Sequence, residues 1–183
     1  MNIFLIFLIL VIVSLFSWFF ITYNALVRVK ENIKKAWGNI DVLLMQRSDE
    51  IPKLIETVKA FRNHEKEMFN NVLNARDNYL NAKTVSEKAT ADSEIANALK
   101  SIFSLSESYP ELKSSDNFIQ FQSRISSIEE KIADRREFYN ESVNNYNISI
   151  QTLPDVLIAG LLGLKQEEMF NVPDNKKVDV EIN

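Results

Sequence analysis

The stretch from Phe118 to Ile150, FIQFQSRISSIEEKIADRREFYNESVNNYNISI, decides the fold. Phe118, Phe121, Ile125, Ile128, Ile132, Arg136, Tyr139, Val143, Tyr146 and Ile150 recur in steps of three and four. That spacing puts all of them on one face of a long helix, as a bundle or coiled-coil seam requires. Pro154 closes the pattern.

Shorter stretches upstream repeat the spacing. Leu26, Val29, Ile33, Ala36, Trp37, Ile40, Leu43 and Leu44 define a first helix, about 24–47, in which Gly38 is the one weak link. Ser48-Asp49 reads as a boundary, with Pro52 in the first turn of the next helix, where its missing N–H is tolerated. That second helix, about 49–81, carries Ile51, Leu54, Ile55, Val58, Phe61, Met68, Phe69, Val72, Ala75 and Tyr79, with Glu65 interrupting the stripe. Thr84 to Ser86 reads as the next cap. Ile95, Ala98, Leu99, Ile102 and Leu105 mark a third helix, about 86–107, ending near Tyr109-Pro110. With the long helix at about 115–152, the expectation is an all-α protein built on an antiparallel four-helix bundle.

Ahead of this domain, every residue from Ile3 to Ile21 is apolar except Ser14 and Ser17, and the first charge is Arg28. At ~1.5 Å per residue the run matches the ~30 Å hydrocarbon core of a bilayer. Trp18 and Tyr23 stand where amphipathic rings favour headgroups. No basic segment precedes the run and no small-residue cleavage site follows it, so a transmembrane anchor over 1–23 is expected rather than a cleaved signal peptide. Arg28, Lys30, Lys34 and Lys35 follow it, which by the positive-inside bias leaves a short N-terminus outside and the domain in the cytoplasm. Nothing after Tyr23 breaks a helix, so the anchor is expected to run without a joint into the bundle.

After Pro154 the pattern changes. Val156 to Leu164 is short and apolar, expected to form a small helix over 155–163 that either caps the bundle or lies on the membrane. Lys165 to Asn183 reads as a loosely held polar tail, although Val178, Val180 and Ile182 alternate as a strand would.

Composition narrows the function. The chain has 183 residues, a net charge of -4, no cysteine and a single histidine. There is no basic field for nucleic acid, no thiolate chemistry and no sulfur-ligated zinc. His64-Glu65 resembles the start of the metalloprotease motif His-Glu-x-x-His, but Met68 holds the second ligand position. A di-metal carboxylate site would need two Glu-x-x-His segments. No phosphate loop or nucleophile elbow is present. The sequons at Asn140 and Asn147 fall inside the long helix on the expected cytoplasmic side. No cofactor and no catalytic residue is therefore assigned, and the expectation is a non-enzymatic protein. The expected partners are the lipid bilayer, through the N-terminal helix, and an unidentified protein; oligomeric state is not legible.

Five polar residues stand on apolar seams: Arg47, Glu65, Arg76, Glu129 and Arg136. Charges there are costly unless paired. Cross-helix salt bridges are expected, most simply Glu65 or Glu129 with Arg136, fixing helix register.

The ordered set Tyr23-Asn24-Ala25-Leu26-Val27, Ala36-Trp37, Ile40-Asp41-Val42, Arg47, Asp49, Ile51-Pro52 and Leu54 closely resembles the opening of the LemA family. The likeness continues through His64-Glu65, Ala75-Arg76, Tyr109-Pro110-Glu111-Leu112-Lys113, Asn117-Phe118, Tyr139-Asn140, Tyr146-Asn147, Pro154 and Ile158-Ala159-Gly160. Gln46, Glu50, Lys53 and Leu153 depart from it, three of them around the expected turn between the first two helices. The resemblance implies a single-pass protein of the bacterial inner membrane with a cytoplasmic helical bundle and no securely known activity. A lipid-sensing module, using Lys30, Lys34, Lys35 and Val156 to Leu164, is the alternative to a scaffold.

Overall fold

The structure, a computed structural model, describes residues 3–59 and 66–171. Every regular element among them is helical: α1 Ile3–Lys59, α2 Lys66–Asn81, α3 Val85–Ser106, α4 Pro110–Lys113, α5 Asp116–Ser149 and α6 Asp155–Leu161. Two compact units result, one from Met1–Trp37 with Phe138–Glu167, the other from Gly38–Glu137 with Glu168–Asn183.

In the first unit, α1 opens with the apolar run. Its side chains there are largely exposed, among them Phe4, Leu10, Leu15 and Phe20. An apolar helix left so largely uncovered by the described residues is suited to lipid rather than to a protein core. Burial begins at Thr22 and Leu26 and continues at Ile33 and Ala36. α5 contributes Tyr139, Val143, Tyr146 and Ile150 to the same unit, and α6 contributes Ile158 and Ala159. The Trp37 and Tyr139 rings meet at 5.7 Å between centroids.

The second unit is built from segments of α1, α2, α3, α4 and α5. Ile40, Leu44, Leu54 and Val58 of α1 are fully buried, as are Val72 of α2, Ile95 and Ile102 of α3 and Leu112 of α4. Phe103 of α3 and Phe118 of α5 meet edge to face at 6.1 Å.

The boundary expected at Ser48-Asp49 is absent: α1 runs through it to Lys59 with Pro52 inside the helix. Ser48 caps nothing, since its hydroxyl is buried without a partner among the described residues. A proline within a helix leaves the carbonyl one turn earlier, here that of Ser48, without its N–H donor. Arg76 supplies one instead, its Nε donating to the Ser48 oxygen at 3.1 Å. The helix passes its proline because α2 provides the missing bond.

Thr84 caps α3 in a reciprocal box: the Glu87 N–H donates to the Thr84 hydroxyl at 3.1 Å, and the Thr84 N–H donates to the Glu87 carboxylate at 3.1 Å. The Lys83 N–H also donates to that carboxylate, at 2.7 Å. These backbone donors, Lys83 first, hold the Glu87 carboxyl below its ordinary value. The cap is therefore intact above the usual glutamate range and weakens as pH falls through the depressed value. Thr84→Ala is expected to destabilise by about 1 kcal/mol at neutral pH, read by chemical denaturation.

α4 was not legible as an element. Pro110 occupies its first turn, where a missing N–H costs nothing, and buried Leu112 fastens it. The described part of the tail is also held rather than loose. Phe170 is fully buried, with the Arg136 guanidinium 5.1 Å from its ring centre. Val178, Val180 and Ile182 lie outside the described residues.

Candidate functional site

The most concentrated chemistry in the second unit surrounds Arg47. Seven, four and three residues after Ile40, Leu43 and Leu44, it sits on the inward stripe of α1, so its side chain is carried into the core. It is completely buried. Its two terminal nitrogens donate to Asp92 Oδ1 at 2.5 Å and to Glu129 Oε1 at 2.6 Å. Asp92 is almost fully buried and receives a second cation, Arg136, at 3.5 Å on Oδ2. The chain Arg136, Asp92, Arg47, Glu129 thus alternates in sign and joins α5, α3 and α1, with no net charge left inside. Arg47 Nε is buried without a partner among the described residues.

The expected partner of Arg136 is thereby corrected. Glu129 is taken by Arg47, and Arg136 turns to Asp92. Glu65 lies outside the described residues. Among the described residues Arg76 does not sit in this chain of ion pairs; besides the Ser48 carbonyl it meets Asp77, at 3.6 Å. Sequence reasoning missed Asp92, although a signal existed. Read back one turn from Ile95, the buried stripe of α3 runs through Asp92 to Ala89, so the carboxylate stands on an apolar seam.

Two further polar contacts brace the unit. Glu50, nearly buried, receives Arg124 at 3.1 Å and Lys53 at 3.2 Å. Glu50 and Lys53, two of the departures from the family pattern, are thus a pair on one continuous helix instead of ornaments of a turn. The third, Gln46, is exposed. Tyr79 donates its hydroxyl to Asp41 Oδ1 at 3.1 Å, and Lys88 pairs with the same carboxylate while lying over the Tyr79 ring.

In the first unit, Asn147 makes a reciprocal pair with the backbone of Glu167. The Asn147 amide donates to the Glu167 carbonyl at 3.0 Å, and the Glu167 N–H donates back to Asn147 Oδ1 at 2.9 Å. The Glu167 carboxylate pairs with Lys30 at 3.5 Å, and the Tyr146 hydroxyl is buried with no hydrogen-bond partner among the described residues. Lys34 is paired with Glu31 on the surface, while Arg28 and Lys35 are exposed. Trp18 is half-buried and Tyr23 exposed.

Burial raises both phenols above the ordinary tyrosine value of 10.0, for Tyr79 with help from the Asp41 charge and for Tyr146 against a partial offset from Lys30. A raised folded-state value means that the protonated phenols favour the folded state. That stability is intact below about pH 10 and lost as pH rises through the folded value. In an alkaline titration followed at the tyrosinate absorbance, Tyr79 and Tyr146 are expected to ionise above the ordinary tyrosine range, and Tyr79→Phe to remove part of the delayed signal.

Among the described residues, no three ligating side chains come together in a way that could hold a metal ion. The surface hollows are open. One, of roughly 700 Å³, is a polar groove beside the start of α5 lined by Gln46, Gln120, Ser123, Arg124 and Lys131.

An exposed apolar helix long enough to cross a bilayer, carried by a domain whose buried charges are spent on pairing helices, defines a membrane-associated helical protein. A sequence model of the LemA family matches residues 36–183, and the chain belongs to that family. Its relatives include magnetosome protein MamQ 2 of Paramagnetospirillum magneticum, 35% identical over 80 residues, which cover 44% of this chain and 29% of that protein. The MamQ protein of Magnetospirillum gryphiswaldense is 22% identical over 189 residues, covering 89% of this chain and 70% of the relative. The LemA protein of Metamycoplasma hominis is 28% identical over 163 residues, covering 86% and 73%. The chain thus spans less than a third of the Paramagnetospirillum proteins that it matches.

Proposed function

We propose that the chain is a non-enzymatic scaffold or adaptor, held in the bacterial inner membrane by one span, with a short N-terminus outside and its helical domain in the cytoplasm. The observation that carries this reading is the use of the buried charges. Arg47, Asp92 and Glu50 are each bound to partners on other helices of the same unit, so they stabilise an arrangement and are not presented to a substrate. Buried pairs of this kind fix which helices meet and in what register. An antiparallel four-helix arrangement in the second unit would give such a domain long, rigid, polar outer faces for a protein partner. Arg28 and Lys35, exposed just after the span, favour the cytoplasmic orientation.

The relatives fit a scaffold. Some are named for the magnetosome and one only for the family, so the shared element is the helical domain rather than one setting. The test is site-directed photocrosslinking of the full-length protein in cells, compared with a form whose residues 3–21 are exchanged for an unrelated apolar span. Capture of the same defined protein by both forms is expected. No captured partner at any surface position, together with turnover of a small molecule by the purified protein, would overturn the reading.

A further inference from the structure

The first unit contains a second apolar surface besides the span. Leu153, Leu157 and Leu161 are 78%, 59% and 80% exposed, and Leu162 is exposed beside them. They stand on and around α6, whose other side buries Ile158 and Ala159. The turn after α6 is fixed: Gly163, with φ 61, adopts the left-handed conformation. Its N–H donates to the Gly160 carbonyl at 3.2 Å, and the Leu164 N–H to the Ala159 carbonyl at 3.0 Å. The outward leucines are therefore held in place by a packed and capped helix. No charged residue occurs from Val156 to Leu164.

Where this face lies along α1 follows from the pairing of α1 with α5. Trp37 meets Tyr139, and Lys30 reaches Glu167, which is bound to Asn147. Seven residues back along α1, from Trp37 to Lys30, are thus matched by eight forward along α5, from Tyr139 to Asn147, so the two run antiparallel. Continued to the end of α5, that register sets Ile150 near the level of Leu26. The burial of Thr22, Leu26 and Ile150 agrees. The excursion from Ile150 to Glu167 leaves α5 at the level of Leu26 and returns at Lys30, which sets α6 toward the end of the unit from which the apolar run leads.

We propose that the Leu153, Leu157 and Leu161 face of α6 is a second membrane contact, seated in the headgroup and upper acyl region beside the span. A helix of this length is too short to hold a membrane alone, and none of its residues is basic. Fixed next to an anchor, it needs no affinity of its own, because the span supplies the local concentration. The partner is the lipid surface rather than a second copy, because the face stands at the end of the unit from which the exposed apolar run leads. The proposal rests on the reading of Ile3 to Ile21 as membrane-embedded.

The native chain has no cysteine, so single probes can be placed cleanly. Full-length protein carrying Leu157→Cys or Leu161→Cys, labelled with an environment-sensitive fluorophore, is reconstituted into phosphatidylcholine vesicles with lipids brominated near the headgroup. Both positions are exposed, so neither substitution disturbs packing. Expected is a blue-shifted emission quenched several-fold more than at Lys100→Cys on α3, and unchanged when the protein-to-lipid ratio is lowered. Quenching equal to that at Lys100 overturns the proposal. So does protection that disappears as protein is diluted in the bilayer, which would identify a second copy as the occupant. A probe at Val11→Cys, read with deeply brominated lipid, reports the span separately: quenched there but not at α6, the anchor stands and the α6 contact falls.

Discussion

Arg47→Ala is expected to cost about 3–5 kcal/mol of stability, measured by denaturation of the full-length protein in detergent or nanodiscs. Removing the guanidinium leaves the buried Asp92 carboxylate with the longer Arg136 contact at 3.5 Å, and strips Glu129 of the Arg47 charge. Most of the loss is the penalty of a buried charge left behind, not the worth of the pair. The distinguishing variant is therefore Arg47→Met combined with Asp92→Leu, which removes both charges and keeps apolar volume. It is expected to recover most of the loss. A single Arg47→Ala variant within about 1 kcal/mol of the parent would mean that water or rearrangement satisfies Asp92, and that the network does not hold register.

The second large effect concerns Pro52 and Arg76. Arg76→Ala orphans the Ser48 carbonyl inside the helix and is expected to destabilise by about 1–3 kcal/mol. Pro52→Ala restores a backbone N–H that can donate to the same oxygen. In a Pro52→Ala background, the loss of Arg76 is expected to become nearly neutral, a coupling read from the double-mutant cycle. Additive losses would show that Arg76 acts through its charge and packing, and that the 3.1 Å contact is incidental.

Where sequence and structure part company, the reason is physical. Periodicity alone located the inward faces, because burial on one side of a helix leaves a three-and-four rhythm whatever it packs against. Phe118 to Ile150, Ile95 to Ile102 and Val72 to Tyr79 all face inward as their spacing requires. The cap at Thr84 was legible because its partner Glu87 is local in sequence.

What misled was a local signal with a distant answer. Ser48, Asp49 and Pro52 have the composition of a helix start, and only a donor 28 positions beyond Ser48 keeps the helix going. Asp92 was overlooked for a related reason. A carboxylate on a seam is recognisable only when the seam is followed past its last apolar residue, and its partners Arg47 and Arg136 are far off in the chain. The family likeness named Arg47, Pro52 and Arg76 together without giving the reason that links them; the bond to the Ser48 carbonyl supplies it for two of the three. The apolar run from Ile3 to Ile21 needed no partner to be read as a candidate span, since the environment it suits is a solvent and not a neighbour.

The proline bridged by Arg76 has a bearing on how the chain is made. A polypeptide leaves the ribosome from its N-terminus, so Pro52 emerges before Arg76 does. During that interval the Ser48 carbonyl can be satisfied only by water, and α1 is free to break there. The helix that looks in the finished molecule like the most autonomous piece of secondary structure is completed late, by a residue translated after it.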